Sequence, residues 1–308
     1  MKTMQHLYRG KKILITGGAG FIGSHLAEQC HQLEADVTIL DNFATGTYDN
    51  IISIASSIKC IEGDITHLET CIQAAQEQDI IFHLAAYTSV AGSIENPHTC
   101  SRTNVMGTLN ILEAARIAST KKFIFASSAA VYGNHEGVCH ETTPCAPLSP
   151  YGYSKHLGEL LCQQFAKISA INIVCLRYFN VYGPRQRGDL PHAGVLAHAA
   201  YCMEYQKPFT IYGDGMQQRD FIHVDDVVSA NMLFGAYLSA HGAGEVYNIA
   251  SGNSVSLMTM ISKLRTRFPL YPTSHIIFAP SRTGDIRYSA ADCSKYRTFF
   301  KAITEISH

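Results

Sequence analysis

The feature that most constrains this chain is a run of closely spaced glycines between an apolar triplet and a helix-forming stretch. Ile13-Leu14-Ile15 leads into Gly17, Gly18, Gly20 and Gly23, and Ser24-His25-Leu26-Ala27-Glu28 follows. The spacing satisfies both Gly-x-Gly-x-x-Gly from Gly18 and Gly-x-x-Gly-x-x-Gly from Gly17. Strand, glycine turn and helix in that order predict a βαβ unit in a parallel sheet. Glycines lack the Cβ that would keep backbone away from a pyrophosphate, and a helix N-terminus attracts its charge. A second apolar strand, Asp36-Val37-Thr38-Ile39-Leu40, ends at Asp41, 18 residues beyond Gly23. A carboxylate there accepts hydrogen bonds from ribose hydroxyls and repels a 2′-phosphate, so the expected dinucleotide is NAD rather than NADP.

Further short apolar runs at Ile80–Leu84, Lys122–Ala126 and Ile173–Leu176 alternate with helical stretches such as Val105–Ala118. That alternation predicts an α/β fold with a Rossmann-type, doubly wound parallel sheet. After about Asn180 the texture turns loop-rich, with Gly183-Pro184, Gly188, Pro191, Gly213 and Gly215. The expected division is an NAD-binding domain over residues 1–180 and a smaller C-terminal lobe over 181–308. The helical stretch Val224–Leu238 suggests that the chain returns to the first domain around residues 220–250 before finishing in the second lobe.

Twenty-four basic residues against 25 acidic ones leave a formal charge of −1, which removes any general electrostatic case for nucleic acid or an anionic membrane. Ten cysteines are scattered without a C-x-x-C pair, so no metal is expected and reduced, buried thiols are. The first residues lack the apolar core of a secretory signal, and no window is long and apolar enough to span a bilayer. A soluble, cytoplasmic protein is the expectation.

Tyr151 and Lys155 stand four residues apart, on one face if the segment is helical. A free phenol titrates near 10 and is a poor base at neutral pH. A nearby ammonium and a cationic nicotinamide ring would both favour its phenolate. Ser127 and Ser128 close the strand Phe123–Ala126, at the carboxyl end where open α/β sheets bind ligands, and Ser128 can hydrogen-bond a reacting alcohol oxygen.

Through these motifs the chain resembles the NAD-dependent nucleotide-sugar epimerases and dehydratases of the extended short-chain dehydrogenase/reductase superfamily. The resemblance runs from about Lys12 to Asp292, through ILITGGAGFIGSHL, DNFATG, HLAA, NVMGTLNILEAA, SSAAVYG, YGYSK, RYFNVYGPRQ, YGDGMQQRDFIHVDDVV and RTGDIRYSAAD. It implies a catalytic triad of Ser128, Tyr151 and Lys155. It places Gly17, Gly20, Phe21, Ile22, Gly23, Asp41, Asn42, Gly46, Leu84, Ala85, Ala86 and Tyr178 against the cofactor, with Asp64 and Ile65 at the adenine and Asn104 in the active-site scaffold. Asn180, Arg219, Arg282 and Asp285 resemble positions that hold the nucleotide diphosphate of a sugar substrate, with Val195 and Ser289 also on the substrate side. A homodimer is implied through the helices near Val105–Ala118 and Ser154–Lys167.

Dehydratases and decarboxylases of this family usually carry an acid just after the catalytic Ser or Thr, whereas this chain reads Ala129-Ala130-Val131. The resemblance therefore favours a 4-epimerase of a UDP-sugar that works through a transient 4-keto sugar. Ser289 stands where some hexose 4-epimerases carry a bulky aromatic, which leaves room for the N-acetyl group of UDP-N-acetylglucosamine or UDP-N-acetylgalactosamine; UDP-glucose and UDP-galactose are also open. A UDP-glucuronate epimerase, a dehydratase, and an NAD-binding sensor without catalysis are the alternatives. The segment from Cys293 to His308 departs from the family pattern, which puts the packing of the small lobe in question.

Overall fold

A computed structural model describes residues 2–190, 193–238, 244–281 and 286–306. Its strands are β1 (Lys12–Thr16), β2 (Asp36–Asp41), β3 (Lys59–Glu62), β4 (Ile80–His83), β5 (Lys122–Ser128), β6 (Val138–Cys139), β7 (Asn172–Tyr178), β8 (Asn180–Tyr182), β9 (Phe209–Tyr212), β10 (Gln218–His223), β11 (Glu245–Ile249), β12 (Ser254–Ser256), β13 (Ile276–Ala279) and β14 (Ala290–Ala291). The helices are α1 (Lys2–Tyr8), α2 (Phe21–Gln32), α3 (Leu68–Ala75), α4 (Val90–Glu95), α5 (Pro97–Ser101), α6 (Gly107–Ile117), α7 (Pro150–Ile168), α8 (Val195–Glu204), α9 (Val224–Tyr237), α10 (Leu257–Arg265) and α11 (Ser294–Ile306).

Seven strands form one parallel sheet in the order β11-β7-β5-β4-β1-β2-β3. This is the doubly wound arrangement expected. Both faces are covered, which is why its inner strands read as unbroken apolar runs rather than alternating ones. In β1, Ile13 and Ile15 join the core beneath α2 and α9, while Leu14 joins the opposite core beneath α3, α6 and α7. β5 divides its residues the same way, Ile124 to one side and Phe123 and Phe125 to the other.

The small lobe has its own core, in which Leu196, Ala199 and Met203 of α8 pack with Phe209, Ile211, Phe221 and Ile261. The chain returns to the large sheet through α9, which packs on α2, and through β11, which pairs with β7. It also ends there, contrary to the expectation that it finishes in the small lobe. Phe299 of α11 stacks on Phe234 of α9 at 4.5 Å, and Tyr296 lies nearby. The unfamiliar tail thus covers the β11 edge of the large sheet, where Phe299 also meets Tyr247 of β11.

Candidate functional site

The sequence motifs converge at the carboxyl ends of the parallel strands, where an open α/β sheet forms its ligand crevice. After β1 the backbone turns at Gly17 with φ +71°, and a Cβ there would lie 2.8 Å from the Ala85 nitrogen. A Cβ on Gly23 would strike the Gly17 carbonyl. Gly46 brings the loop after β2 against Ala19, whose carbonyl accepts from the Thr47 N–H at 3.1 Å. α2 begins at Phe21, followed by Ile22 and Gly23, and its N-cap Gly20 supplies no side chain. The helix dipole and first N–H groups therefore face the crevice, which suits a pyrophosphate.

At the end of β2, Asp41 is held by N–H donors from Ala19 at 2.9 Å and Phe43 at 2.8 Å, and burial pushes its carboxyl up. Two oxygens carry more lone pairs than two donors use, so acceptor capacity remains for a ribose. Asn42 donates to Asp64 at 2.8 Å, and Asp64 in turn accepts from the Thr66 N–H at 2.8 Å. Ile65 is buried against Gly107 of α6. The Leu84 N–H donates to the Thr16 carbonyl and the Ala85 N–H to the Thr16 hydroxyl, which fixes the Leu84-Ala85-Ala86 turn beside Gly17. The cradle fits a dinucleotide.

Tyr151 and Lys155 lie in the first turns of α7, which starts at Pro150 after Ser149, whose hydroxyl caps the Gly152 N–H at 3.1 Å. The Ser128 side chain, at the end of β5, lies close enough to the Tyr151 phenol to act on it against burial. Burial nevertheless raises Tyr151, and Lys155 is not among the causes acting on it. The Lys155 ammonium instead donates to the Ala126 carbonyl at 2.7 Å and lies 5.1 Å from the Phe125 ring centre. Burial pushes it down to about 8. With the chain's own residues alone, Tyr151 therefore stands above an ordinary phenol rather than below it, because burial outweighs what its neighbours contribute.

Asn104 sits in a π-helical turn, Arg102–Met106, just before α6. Its amide donates to Ser154 at 2.8 Å and its oxygen accepts from the Tyr87 N–H at 2.7 Å, so it braces α7 from behind. Tyr178 pairs in register with Ser128, and its hydroxyl donates to Asn231 at 2.9 Å.

On the small-lobe side, Asn180 donates to the Asp220 carbonyl at 3.0 Å, and Arg219 lies next in sequence on β10. Val195 opens α8, half-buried. Ser289 donates its N–H to the Gln218 carbonyl at 3.1 Å and accepts from the Asp220 N–H at 2.8 Å. Arg282 and Asp285 lie outside the described residues.

Sequence reading missed several contributors. Thr16 bonds His83 at 2.7 Å, Ser93 accepts from the Tyr151 N–H at 3.1 Å, and buried Glu159 holds Arg177 and Ser127. Glu159 had one available signal, its place four residues after Lys155. Among the described residues one trio, Cys145, His156 and Glu159, has metal-ligand spacing. The Arg177 guanidinium already contacts both Glu159 at 2.7 Å and Cys145 at 3.2 Å, and so stands where a cation would. No described helix is long and apolar enough to cross a membrane.

Comparison with known proteins agrees with this geometry. The family described as "NAD dependent epimerase/dehydratase family" matches residues 13–250. A UDP-glucose 4-epimerase of Mycolicibacterium smegmatis is 33% identical, over 93% of this chain and 91% of its own. The crystal structure of a Thermotoga maritima UDP-glucose 4-epimerase with UDP-glucose matches at TM-score 0.87 and 34% identity, covering 93% of this chain and 91% of that one. A UDP-N-acetylglucosamine 4-epimerase of Methanobrevibacter ruminantium in complex with UDP-N-acetylmuramic acid also matches at 0.87, with 32% identity over 94% and 92% of the two chains. The chain belongs to the NAD dependent epimerase/dehydratase family, as an enzyme of the epimerase class with NAD as its cofactor.

Proposed function

We propose that this protein is a 4-epimerase of a UDP-sugar, with the UDP-N-acetylglucosamine and UDP-N-acetylgalactosamine pair as substrates. The observation that carries the reading is the convergence of Ser128, at the end of β5, on the Tyr151 phenol, with Lys155 one helical turn away on α7. Bound NAD supplies an acceptor for the hydride on sugar C4 and returns it. Tyr151 takes the proton of the 4-OH as that hydride leaves, and gives it back when C4 is reduced. Ser128 donates to the same oxygen and stabilises the charge that develops there. Lys155, buried and cationic below about pH 8, would hold the ribose of the cofactor beside Tyr151, and its charge together with that of the nicotinamide ring would offset the burial that raises the phenol. The 4-keto sugar turns over between the two transfers, so the second hydride arrives on its other face. Ala129, Ala130 and Val131 follow Ser128 without an acid, so the chain offers no elimination catalyst there.

Arg219 and Arg282 are assigned to the diphosphate, which guanidiniums bind through paired hydrogen bonds; Asn180, Asp285 and Val195 complete the substrate side. Ser289 beside Arg219 supports the N-acetyl reading, since a small side chain leaves space. UDP-glucose and UDP-galactose are the second reading, favoured by the named activity of two relatives above. Ten free thiols support a cytoplasmic location.

A homodimer through α7 belongs to the same reading. Tyr153, Leu157 and Leu160 are 45–56% exposed at spacings of four and three, which makes one apolar stripe on that helix. The test is incubation of the purified protein with each UDP-sugar, without added reductant, followed by proton NMR. Conversion of the gluco to the galacto isomer supports the reading; a 4-keto-6-deoxy product or no conversion overturns it.

A further inference from the structure

Behind the Ser128–Tyr151–Lys155 cluster lies a buried carboxylate that ties the two elements carrying it, β5 and α7, to the neighbouring strand β7. Glu159 is on α7, one turn past Lys155, and is 1% exposed. It accepts from the Ser127 hydroxyl at 2.5 Å and from Arg177 Nε at 2.8 Å and Nη2 at 2.7 Å. Ser127 immediately precedes Ser128 on β5, and Arg177 immediately precedes Tyr178, the register partner of Ser128, on β7. Arg177 is itself fixed by the Tyr132 ring, 4.7 Å from its centre, and by the Glu141 carbonyl at 3.3 Å.

A buried ion pair of this kind adds little stability over well-packed apolar residues of the same size, but its fork geometry tolerates little displacement. We propose that Glu159 is a positioning residue: through Ser127 and Arg177 it fixes α7 against β5 and β7, so that the Tyr151 and Ser128 hydroxyls stay within hydrogen-bond reach of one another. The inference rests on the assignment of the chemistry to Ser128, Tyr151 and Lys155. Glu159 also acts on Lys155. The titratable groups facing that ammonium are Cys100 from α5, Cys162 and Glu159 from α7, and His83 from β4, with Arg177 behind Glu159. Glu159 opposes the downward push of burial. Removing its charge leaves Arg177 uncompensated, and both changes lower Lys155 further.

The test uses Ser127→Ala and Glu159→Gln in the full chain, with kcat, KM, NAD affinity and the pH–rate profile measured on the UDP-sugar that the parent converts. Ser127→Ala keeps the ion pair, so folding is expected to be intact. It should lower kcat tenfold or more, with KM and NAD affinity within twofold of the parent. Glu159→Gln should lower kcat further and move the alkaline limb of the profile to lower pH. Ser127→Ala with kcat within twofold of the parent overturns the inference, whether or not Glu159→Gln folds. A parent that converts no UDP-sugar overturns the underlying assignment, and is distinguished from the first outcome by the parent's own inactivity.

Discussion

Ser289 runs alongside Arg219, joined to β10 by hydrogen bonds to the residues on either side of that arginine. Bridge partners in neighbouring strands carry their side chains on the same face, so on the proposed reading whatever occupies position 289 would share space with the substrate group assigned to Arg219. Ser289→Tyr is expected to lower kcat/KM for UDP-N-acetylglucosamine by about 100-fold, or roughly 3 kcal/mol, while leaving UDP-glucose within about tenfold. Parallel kinetics on the two sugars check this.

Tyr151→Phe removes the only atom of that side chain able to carry the proton. Turnover should drop by about 1,000-fold, near the middle of the range for losing general acid–base catalysis. NAD retention, measured by absorbance of the released nucleotide after denaturation, should be unchanged.

Lys155 sits at about 8, far below an ordinary lysine, because burial disfavours its charged form. The rate should therefore fall as pH rises through about 8. The sign for stability is opposite. Between about pH 8 and the ordinary lysine value the unfolded chain holds a proton that the folded chain has released, so Lys155 contributes stability that grows with pH across that window. Denaturant titrations at pH 7 and pH 10 should show this rise in the parent relative to Lys155→Met.

His83 is held at about 3 by burial, with Lys155 adding to the effect, and its ring nitrogens bond Thr16 and Thr108. Below the ordinary histidine value the unfolded chain takes up a proton that the folded chain refuses. Stability is therefore lost as pH falls from about 6.5 toward 3, by about 2 kcal/mol at pH 5. The denaturation midpoint should drop between pH 7 and pH 5, and less so in His83→Gln.

Gly23→Ala would put a Cβ into the Gly17 carbonyl, which the turn after β1 cannot move without disturbing Ala85. A loss of about 3 kcal/mol in unfolding free energy is expected, together with weakened NAD binding. Chemical denaturation and nucleotide titration measure the two separately.

Much of the large sheet was legible in the sequence because its central strands, buried on both faces, are continuous apolar runs. β3 was not, since it is an edge strand reading Lys59-Cys60-Ile61-Glu62 with mostly exposed side chains. The direction of the final helix was also hidden: Tyr296 and Phe299 carry no signal for which lobe they cover, and only the exposed apolar rim left by α9 and β11 decides it.

By itself the sequence determined the glycine turn, the strand-end Asp41, the Tyr151–Lys155 spacing and Ser128 at the end of β5. These are local patterns, set by backbone sterics and helical period. The tertiary structure alone decided what stands around them: Ser128 on Tyr151, Lys155 turned to the Ala126 carbonyl, Ser289 beside Arg219, and Glu159 on Ser127 and Arg177. Each of those contacts joins elements distant along the chain, and their energies depend on burial, which exists only once the sheet and its helices have closed.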